Sequence, residues 1–344
     1  MQQVNVGIIG TGWVGGIRAS VLANCPQVRE LHICEIRPDR LEEVAAETQP
    51  ASKTLDYREL LANRSVDVVI IATTPETTHY PITKEALLAG KHVLIEKPLA
   101  NTEEEADELI RLARERNLKL TVGYSQRFNP RMAFIRKTIQ SGAIGDVVTC
   151  LVSRNVTREL GKKITSRVRL SPAAMEATHD LDYLMWCLAP RKPVRVYSQA
   201  SGKLFSQKSE TPDHQWIMVT LDDGTTITVG AGWILPYGYP NYSQTWIEII
   251  GTEGALTIDD THKEVTLNTS KHGIHYPMSS MPGEGVEHVF AGAMANETLH
   301  FIDAVARNRP VLVKPEEARA IMDIYIAADL SVERGEPVTL PRNR

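Results

Sequence analysis

Val4-Asn-Val-Gly-Ile-Ile9 runs directly into Gly10-Thr-Gly-Trp-Val-Gly15, and this junction decides the fold. The apolar run is short, rich in Val and Ile and bounded by glycine, as a buried parallel strand is. In the loop after it, the first glycine permits a tight turn. The second lets backbone approach a pyrophosphate, and the third lets helix and strand pack closely. Free N–H groups and the positive dipole at the start of the next helix favour a diphosphate there. The second apolar run, Leu31–Cys34, ends at Glu35, 20 positions beyond Gly15 and suited to the hydroxyls of an adenosine ribose. Gly10, Thr11, Gly12, Trp13, Val14, Gly15, Glu35 and Ile36 are therefore predicted to bind a dinucleotide. Glu35 favours NAD. Arg37 could accept the 2′-phosphate of NADP, or be a solvated turn residue before Pro38.

Outward from this unit, Val66–Thr73, His92–Ile95 and Leu118–Val122 continue the pattern of short apolar runs separated by helical spacing. Thr102 and Glu105 form a capping box ahead of the stripe Ala106, Leu109, Ile110 and Ala113, and Gly90 ends the helical segment Ile82–Ala89. Alternating strand and helix predicts a doubly wound α/β domain over residues 1–123. Past residue 145 the grammar changes. Val147–Val152, Arg195–Ala200, Trp216–Leu221, Thr225–Gly232, Thr245–Gly251 and Ala255–Ile258 are β-rich, with an Asp223-Gly224 turn joining two of them. Helices are expected near Met175–Cys187, Glu297–Arg307 and Glu316–Glu333. The whole predicts a second α/β domain, residues 124–344, built on a large open antiparallel sheet with one face covered.

Composition agrees with two such domains. The 344 residues carry 38 basic and 42 acidic side chains, a formal charge of −4, with 42% hydrophobic and 23% charged residues. That balance gives no pull toward nucleic acid. No apolar run is long enough for a membrane span, and the N-terminus lacks the basic region of a signal peptide. Cys25, Cys34, Cys150 and Cys187 lie too far apart for a zinc site or a disulfide framework and suit a reducing cytoplasm. No metal site is expected.

Ala72-Thr-Thr-Pro-Glu-Thr-Thr-His79 and Ala89-Gly-Lys-His-Val-Leu-Ile-Glu-Lys-Pro98 together resemble the Gfo/Idh/MocA oxidoreductases, the glucose–fructose oxidoreductase and inositol dehydrogenase family. The resemblance extends over essentially the whole chain. It implies a Rossmann domain, an α/β domain whose exposed sheet face makes the subunit contact of a homodimer or homotetramer, and an active site between the domains. Thr73, Thr74, Pro75 and His79 would line the cofactor. Glu96 and Lys97 would reach the nicotinamide ribose, with Lys97 the catalytic lysine and the Lys97–Pro98 bond cis. Independently of the family, Glu96-Lys97-Pro98 ends a parallel strand, at the edge where ligands bind. A lysine there can stabilise an alkoxide as hydride leaves.

Glu176-Ala-Thr-His-Asp-Leu-Asp182 resembles the family segment that supplies a histidine as general acid or base, here His179. The inositol dehydrogenase branch has an aspartate four residues before that histidine, and this chain has Met175. Glu176, one residue later, would point about 100° away on a regular helix but could take that place at the substrate if the segment is a turn. Asp182 is expected to orient His179 or bind a hydroxyl, and Asp180 to be structural. Tyr124, Gln126 and Arg127 fall in a segment that resembles the family's domain junction. Gln126 is expected near the nicotinamide and Tyr124 and Arg127 at the substrate, Arg127 alternatively bridging the domains by salt bridges. Tyr237 sits in an aromatic loop with Trp233, Tyr239 and Tyr242, which suits either carbohydrate stacking or a subunit interface. Arg154, Arg158, Lys162, Lys163, Arg167 and Arg169 form a basic run, read as a solvated loop or as a lid over an anionic substrate. Arg154 and Asn155 are expected to contact substrate. The resulting expectation is an NAD(P)-dependent dehydrogenase or reductase of a secondary alcohol in a sugar, inositol or related polyol, either neutral or anionic. A redox-neutral NAD-dependent glycoside hydrolase or a non-enzymatic NAD(P)-sensing regulator are the alternatives.

Overall fold

The structure, a computed structural model, describes residues 3–167, 169–205, 211–259, 265–271, 273–276, 284–287 and 289–342. The chain divides into two compact units, Met1–Asn129 with Ser280–Arg319, and Pro130–Ser279 with Ala320–Arg344.

The first unit contains β1 (Val4–Ile9), α1 (Trp13–Ala23), β2 (Val28–Cys34), α2 (Pro38–Thr48), β3 (Ser52–Thr54), α3 (Tyr57–Ala62), β4 (Val68–Ile71), α4 (His79–Leu88), β5 (His92–Ile95), α5 (Glu103–Glu115) and β6 (Leu120–Val122). Its six strands pair in parallel in the order β3-β2-β1-β4-β5-β6. Strand order reverses between β1 and β4, and a doubly wound sheet binds its ligand at the carboxyl ends beside such a reversal. The strands are buried on both faces, which explains their unbroken apolar runs. Val6, Ile8, Ile33, Ile70 and Leu94 share one core with Phe301, Ile302 and Ala306 from a later helix of this unit. The capping box at Thr102 and Glu105 forms as expected, and Gly90 adopts φ +77 behind α4. The short polar edge strand β3 carries no apolar pattern and is not legible in the sequence.

The second unit contains α6 (Pro130–Gln140), β7 (Val147–Thr157), α7 (Arg158–Thr165), α8 (Thr178–Leu188), β8 (Pro193–Ser201), β9 (His214–Leu221), β10 (Thr226–Leu235), β11 (Ser243–Gly251) and β12 (Ala255–Asp259). These strands pair in the order β12-β11-β7-β10-β9-β8, and Val338–Thr339 adds a seventh at the edge. Pairing is antiparallel except between β7 and β10, so the sheet is mixed. Gly224, at φ +90, makes the tight turn from β9 to β10. Along β7, Cys150, Val152, Arg154 and Val156 face inward, where α7 and α8 pack. The outer face carries Trp216, Met218 and Trp246, all exposed. Trp216 lies across Gly230, where a Cβ would come within 2.5 Å of its ring. Helix α9 (Ala293–Ala306) belongs to the first unit, and α10 (Pro315–Arg334) contributes its first turn to the first unit and its remainder to the second. Among the described residues no helix is long and apolar enough to cross a membrane. All four cysteines are buried thiols.

Candidate active site

The loop after β1 is built by steric necessity. Gly10 holds φ +85, and a Cβ there would lie 2.7 Å from the Ala72 carbonyl oxygen. A Cβ on Gly15 would lie 1.9 Å from the Gly10 carbonyl oxygen. Gly12 is different, because a Cβ there meets nothing within 4 Å. Open space thus borders the N-terminus of α1, which no side chain caps. Arg40 draws the loop carbonyls the other way, its Nε–H donating to Thr11 (2.8 Å) and its Nη2–H to Gly12 (3.3 Å). N–H groups and positive dipole remain toward the open space, which fits the pyrophosphate of a dinucleotide.

Glu35 is buried at the end of β2. One oxygen accepts from the Thr11 N–H (2.9 Å), and the other faces the Arg37 N–H and Nε–H, both at 3.3 Å. Its carboxylate therefore stands beside the phosphate loop on the β2 side, where the adenosine half of a dinucleotide would lie. Arg37 leans on Glu35 yet remains 57% exposed. Trp13 and Ile36 are both well exposed, large apolar side chains flanking this region.

The loops after β4 and β5 lie on the other side of the order reversal. Both contain cis prolines, Thr74–Pro75 and Lys97–Pro98, of which the sequence points only to the second. Buried His79 ties the two loops together, Nδ1 lying 2.8 Å from the Pro98 carbonyl oxygen and Nε2 3.1 Å from that of Thr73. It therefore positions the loops, and does not present its ring to a cofactor. Thr73 and Thr78 pair through their hydroxyls at 2.6 Å. Lys97 is half-buried at the end of β5.

Glu96 is held from behind by a residue that the sequence does not single out. Arg18, buried on α1, donates from Nε to Glu96 at 3.0 Å, from Nη2 to Glu297 at 2.6 Å and from Nη1 to the Thr298 hydroxyl at 2.7 Å. The signal available is an arginine among Ala19, Val21 and Leu22 on the inward side of α1. Tyr124, Gln126 and Arg127 are buried. The guanidinium of Arg127 pairs with Glu317 of the same unit and approaches the Leu312 carbonyl, so its charge is met internally and not offered to a substrate.

In the second unit, one turn of π-helix, Ala173–Ala177, leads into α8. Met175 points into a core with Val156, Ile164 and Trp233. Glu176 and His179 are the partly exposed members of the stretch 172–184. They are three residues apart across the π-turn, so a carboxylate and an imidazole come to the open side together. The Trp233 Nε1–H reaches Glu176 at 3.5 Å. π-Turns recur at functional sites because the extra residue rotates the helix beyond it.

Several expected substrate contacts are otherwise engaged. Arg154 is buried and grips fully buried Asp180 with two bonds, Nε at 2.6 Å and Nη2 at 2.7 Å. Burial opposes the Arg154 charge, and Asp180 more than restores it, holding the guanidinium above its ordinary pKa. Asn155 points to the opposite face of β7 from Arg154, as strand alternation requires, so the two cannot serve one pocket. Asp182 is fully buried, which removes it from direct contact with a substrate hydroxyl. Trp233 is core, packed on Gly161 and Glu176, while Tyr237 alone of that pair is exposed. The basic run is not one loop: Arg154 lies in β7, Arg158, Lys162 and Lys163 in helix α7, and Arg167 and Arg169 in the irregular segment beyond it.

A buried-strand α/β unit with an anion-ready loop defines a dinucleotide-binding protein, and its motifs place it more narrowly. A family model described as an oxidoreductase family, NAD-binding Rossmann fold, matches residues 4–124, and its companion C-terminal alpha/beta domain matches residues 136–340. The chain belongs to the Gfo/Idh/MocA oxidoreductase family, and its first unit is an NAD-binding Rossmann domain. It is 26% identical to scyllo-inositol 2-dehydrogenase (NAD(+)) of Bacillus subtilis, covering 100% of this chain and 98% of that one. It is 28% identical to UDP-N-acetylglucosamine 3-dehydrogenase of Acidithiobacillus ferrooxidans, over 97% and 98% of the two chains. The fold matches scyllo-inositol dehydrogenase from Lactobacillus casei, solved with NAD(H) and scyllo-inositol, at a TM-score of 0.84 with 23% identity, over 98% and 99% of the two chains.

Proposed function

We propose that this oxidoreductase interconverts a secondary alcohol and a ketone on a sugar, inositol or related polyol, using NAD in preference to NADP. The observation that carries this is the Glu96-Lys97-Pro98 turn, placed at the carboxyl end of β5 and braced through Glu96 by Arg18. Bound NAD supplies a nicotinamide carbon that accepts or returns hydride. Lys97 donates a hydrogen bond to the substrate oxygen and stabilises negative charge on it. His179 takes or returns the hydroxyl proton, and Glu176, exposed on the same turn, binds a neighbouring hydroxyl in place of the carboxylate missing at Met175. Glu35 holds the adenosine ribose, and its pairing with Arg37 turns that cation away from a 2′-phosphate.

A neutral polyol is favoured over an anionic one because Arg154 is neutralised by Asp180. The relatives named above act on scyllo-inositol and on a nucleotide sugar, and the same hydroxyl chemistry serves both. The exposed apolar outer face of the second-unit sheet is the surface we assign to contact with a second copy. Absorbance at 340 nm, followed with NAD and NADP over a panel of inositols, neutral sugars and uronates, tests the reading. Reduction of NAD with a polyol supports it. Substrate turnover without net reduced cofactor shows the glycoside-hydrolase chemistry instead.

A further inference from the structure

Arg40 reaches the loop after β1 from α2 and meets it at two carbonyls. Its Nε–H donates to Thr11 at 2.8 Å and its Nη2–H to Gly12 at 3.3 Å, while Nη1 pairs with Glu43 one turn further along α2, also at 2.8 Å. The guanidinium is admitted by Gly16, a glycine that follows the Gly10–Gly15 motif and is not part of it: a Cβ on Gly16 would lie 2.4 Å from Arg40 Nη2. The Arg40 side chain is 22% exposed, so these bonds form largely out of water, where a charged donor polarises its acceptor most. A trans peptide points its carbonyl and its N–H in opposite directions. The peptide with the Thr11 carbonyl ends in the Gly12 N–H, the one with the Gly12 carbonyl ends in the Trp13 N–H, and both are trans. Among the described residues neither N–H has a hydrogen-bond partner. With their carbonyls committed to Arg40, these N–H groups face away from it, toward the open space beside Gly12.

We propose that Arg40 tunes the diphosphate site from behind: by holding the Thr11 and Gly12 carbonyls it fixes the direction of the Gly12 and Trp13 N–H groups and strengthens them as donors to the pyrophosphate. Gly10 and Gly15 set the path of the loop, and Arg40 acts on the peptide groups that this path presents. It does so through backbone and is a positioning residue, with Gly16 as the gap that admits it. The inference goes beyond the reaction proposed above and requires only the NAD-binding Rossmann domain.

Calorimetric titration of NAD+, NADP+ and ADP-ribose into wild type, Arg40→Gln, Gly16→Ala and the double variant tests this. Arg40→Gln should weaken NAD+ and ADP-ribose alike, by about tenfold, because both carry the diphosphate and a charge-assisted bond is worth about that much. Gly16→Ala keeps the charge but pushes Nη2 off the Gly12 carbonyl, and alanine suits a helix better than glycine. It should weaken ADP-ribose by about threefold, and the double variant should bind no more weakly than Arg40→Gln, because both changes break one interaction. Losses that add in the double variant overturn the proposal, as does an unchanged ADP-ribose affinity in either single variant. A loss confined to NADP+ makes Arg40 a ligand of the 2′-phosphate and overturns it too. If Arg40→Gln fails to fold, Arg40→Lys takes its place: one ammonium cannot match the fork that spans both carbonyls, so a loss of about threefold is expected and full affinity overturns the proposal. No polyol enters the test, so it stands apart from the choice of substrate. Wild type that binds neither NAD+ nor ADP-ribose removes the diphosphate site and the proposal with it.

Discussion

The loop at residues 10–15 and the π-turn at Ala173–Ala177 each introduce a helix that carries site residues, and they are built in opposite ways. The loop is specified by its own atoms: Gly10 takes a positive φ, and Gly15 has no room for a Cβ. The π-turn is held from outside. The Ser171 hydroxyl accepts from the Ala174 N–H at 3.2 Å and donates to Asp329 at 2.9 Å. Gln215 accepts from the Ala173 N–H at 3.3 Å and donates to Asp329 at 3.1 Å and to the Ser198 hydroxyl at 3.0 Å. A nucleotide loop can thus be read one residue at a time, whereas the turn that presents Glu176 and His179 depends on residues up to 158 positions away.

The sharpest way to separate the two regions is Lys97→Met. It removes the cation at the end of β5 without touching the phosphate loop, so kcat should fall about a thousandfold or more while NAD affinity is retained. Turnover that survives would move the chemistry wholly to the π-turn. Next in size is Asp180→Asn. It leaves buried Arg154 with an uncompensated charge, and unfolding in urea should show a loss of about 3–5 kcal/mol. NAD affinity should be unchanged, since the pair is internal to the second unit. An intact stability with a raised KM would instead make Arg154 a substrate ligand.

Glu35→Ala probes the locally encoded region at its second anchor. NAD affinity should drop about tenfold and NADP affinity by less, because Arg37 is freed from its partner. An equal drop for both would strip Glu35 of the ribose role and leave it as a brace for the Thr11 N–H.

Legibility in the sequence divides along the same line. The parallel sheet, the glycine loop, the capping box and the β9–β10 turn each have their cause within a few residues, and the sequence predicts them correctly. Arg154 escapes such a reading because a strand arginine shows its charge in the sequence but not the aspartate 26 residues later that consumes it. The basic run looks like one feature because linear charge does not show where a strand ends and a helix begins. Arg18 and Glu297 lie 279 residues apart, and no local pattern couples them. Against the family pattern Met175 stands out as a missing carboxylate. The sequence leaves Glu176 as a substitute only if the segment is not a regular helix, and the π-turn is such a departure, which a periodicity of 3.6 residues does not reveal.

The smallest effect tests the external tie itself. Burial raises the Asp329 pKa above the ordinary aspartate value, and the bonds from Ser171 and Gln215 offset only part of that. A carboxyl group with a raised pKa in the fold contributes stability that is present below the unfolded pKa and lost as pH rises through the folded one. Asp329→Asn is neutral at every pH and keeps an acceptor for Gln215. Relative to this variant, wild type should therefore weaken as pH rises from the ordinary aspartate range through the raised folded value, as measured by urea unfolding at each pH. Because Ser171 and Gln215 hold the π-turn from this one carboxylate, the same variant should alter KM for substrate before it alters NAD affinity. If instead NAD binding moves first, the turn is not governed from Asp329, and the contrast between a self-specified loop and an externally held turn does not stand.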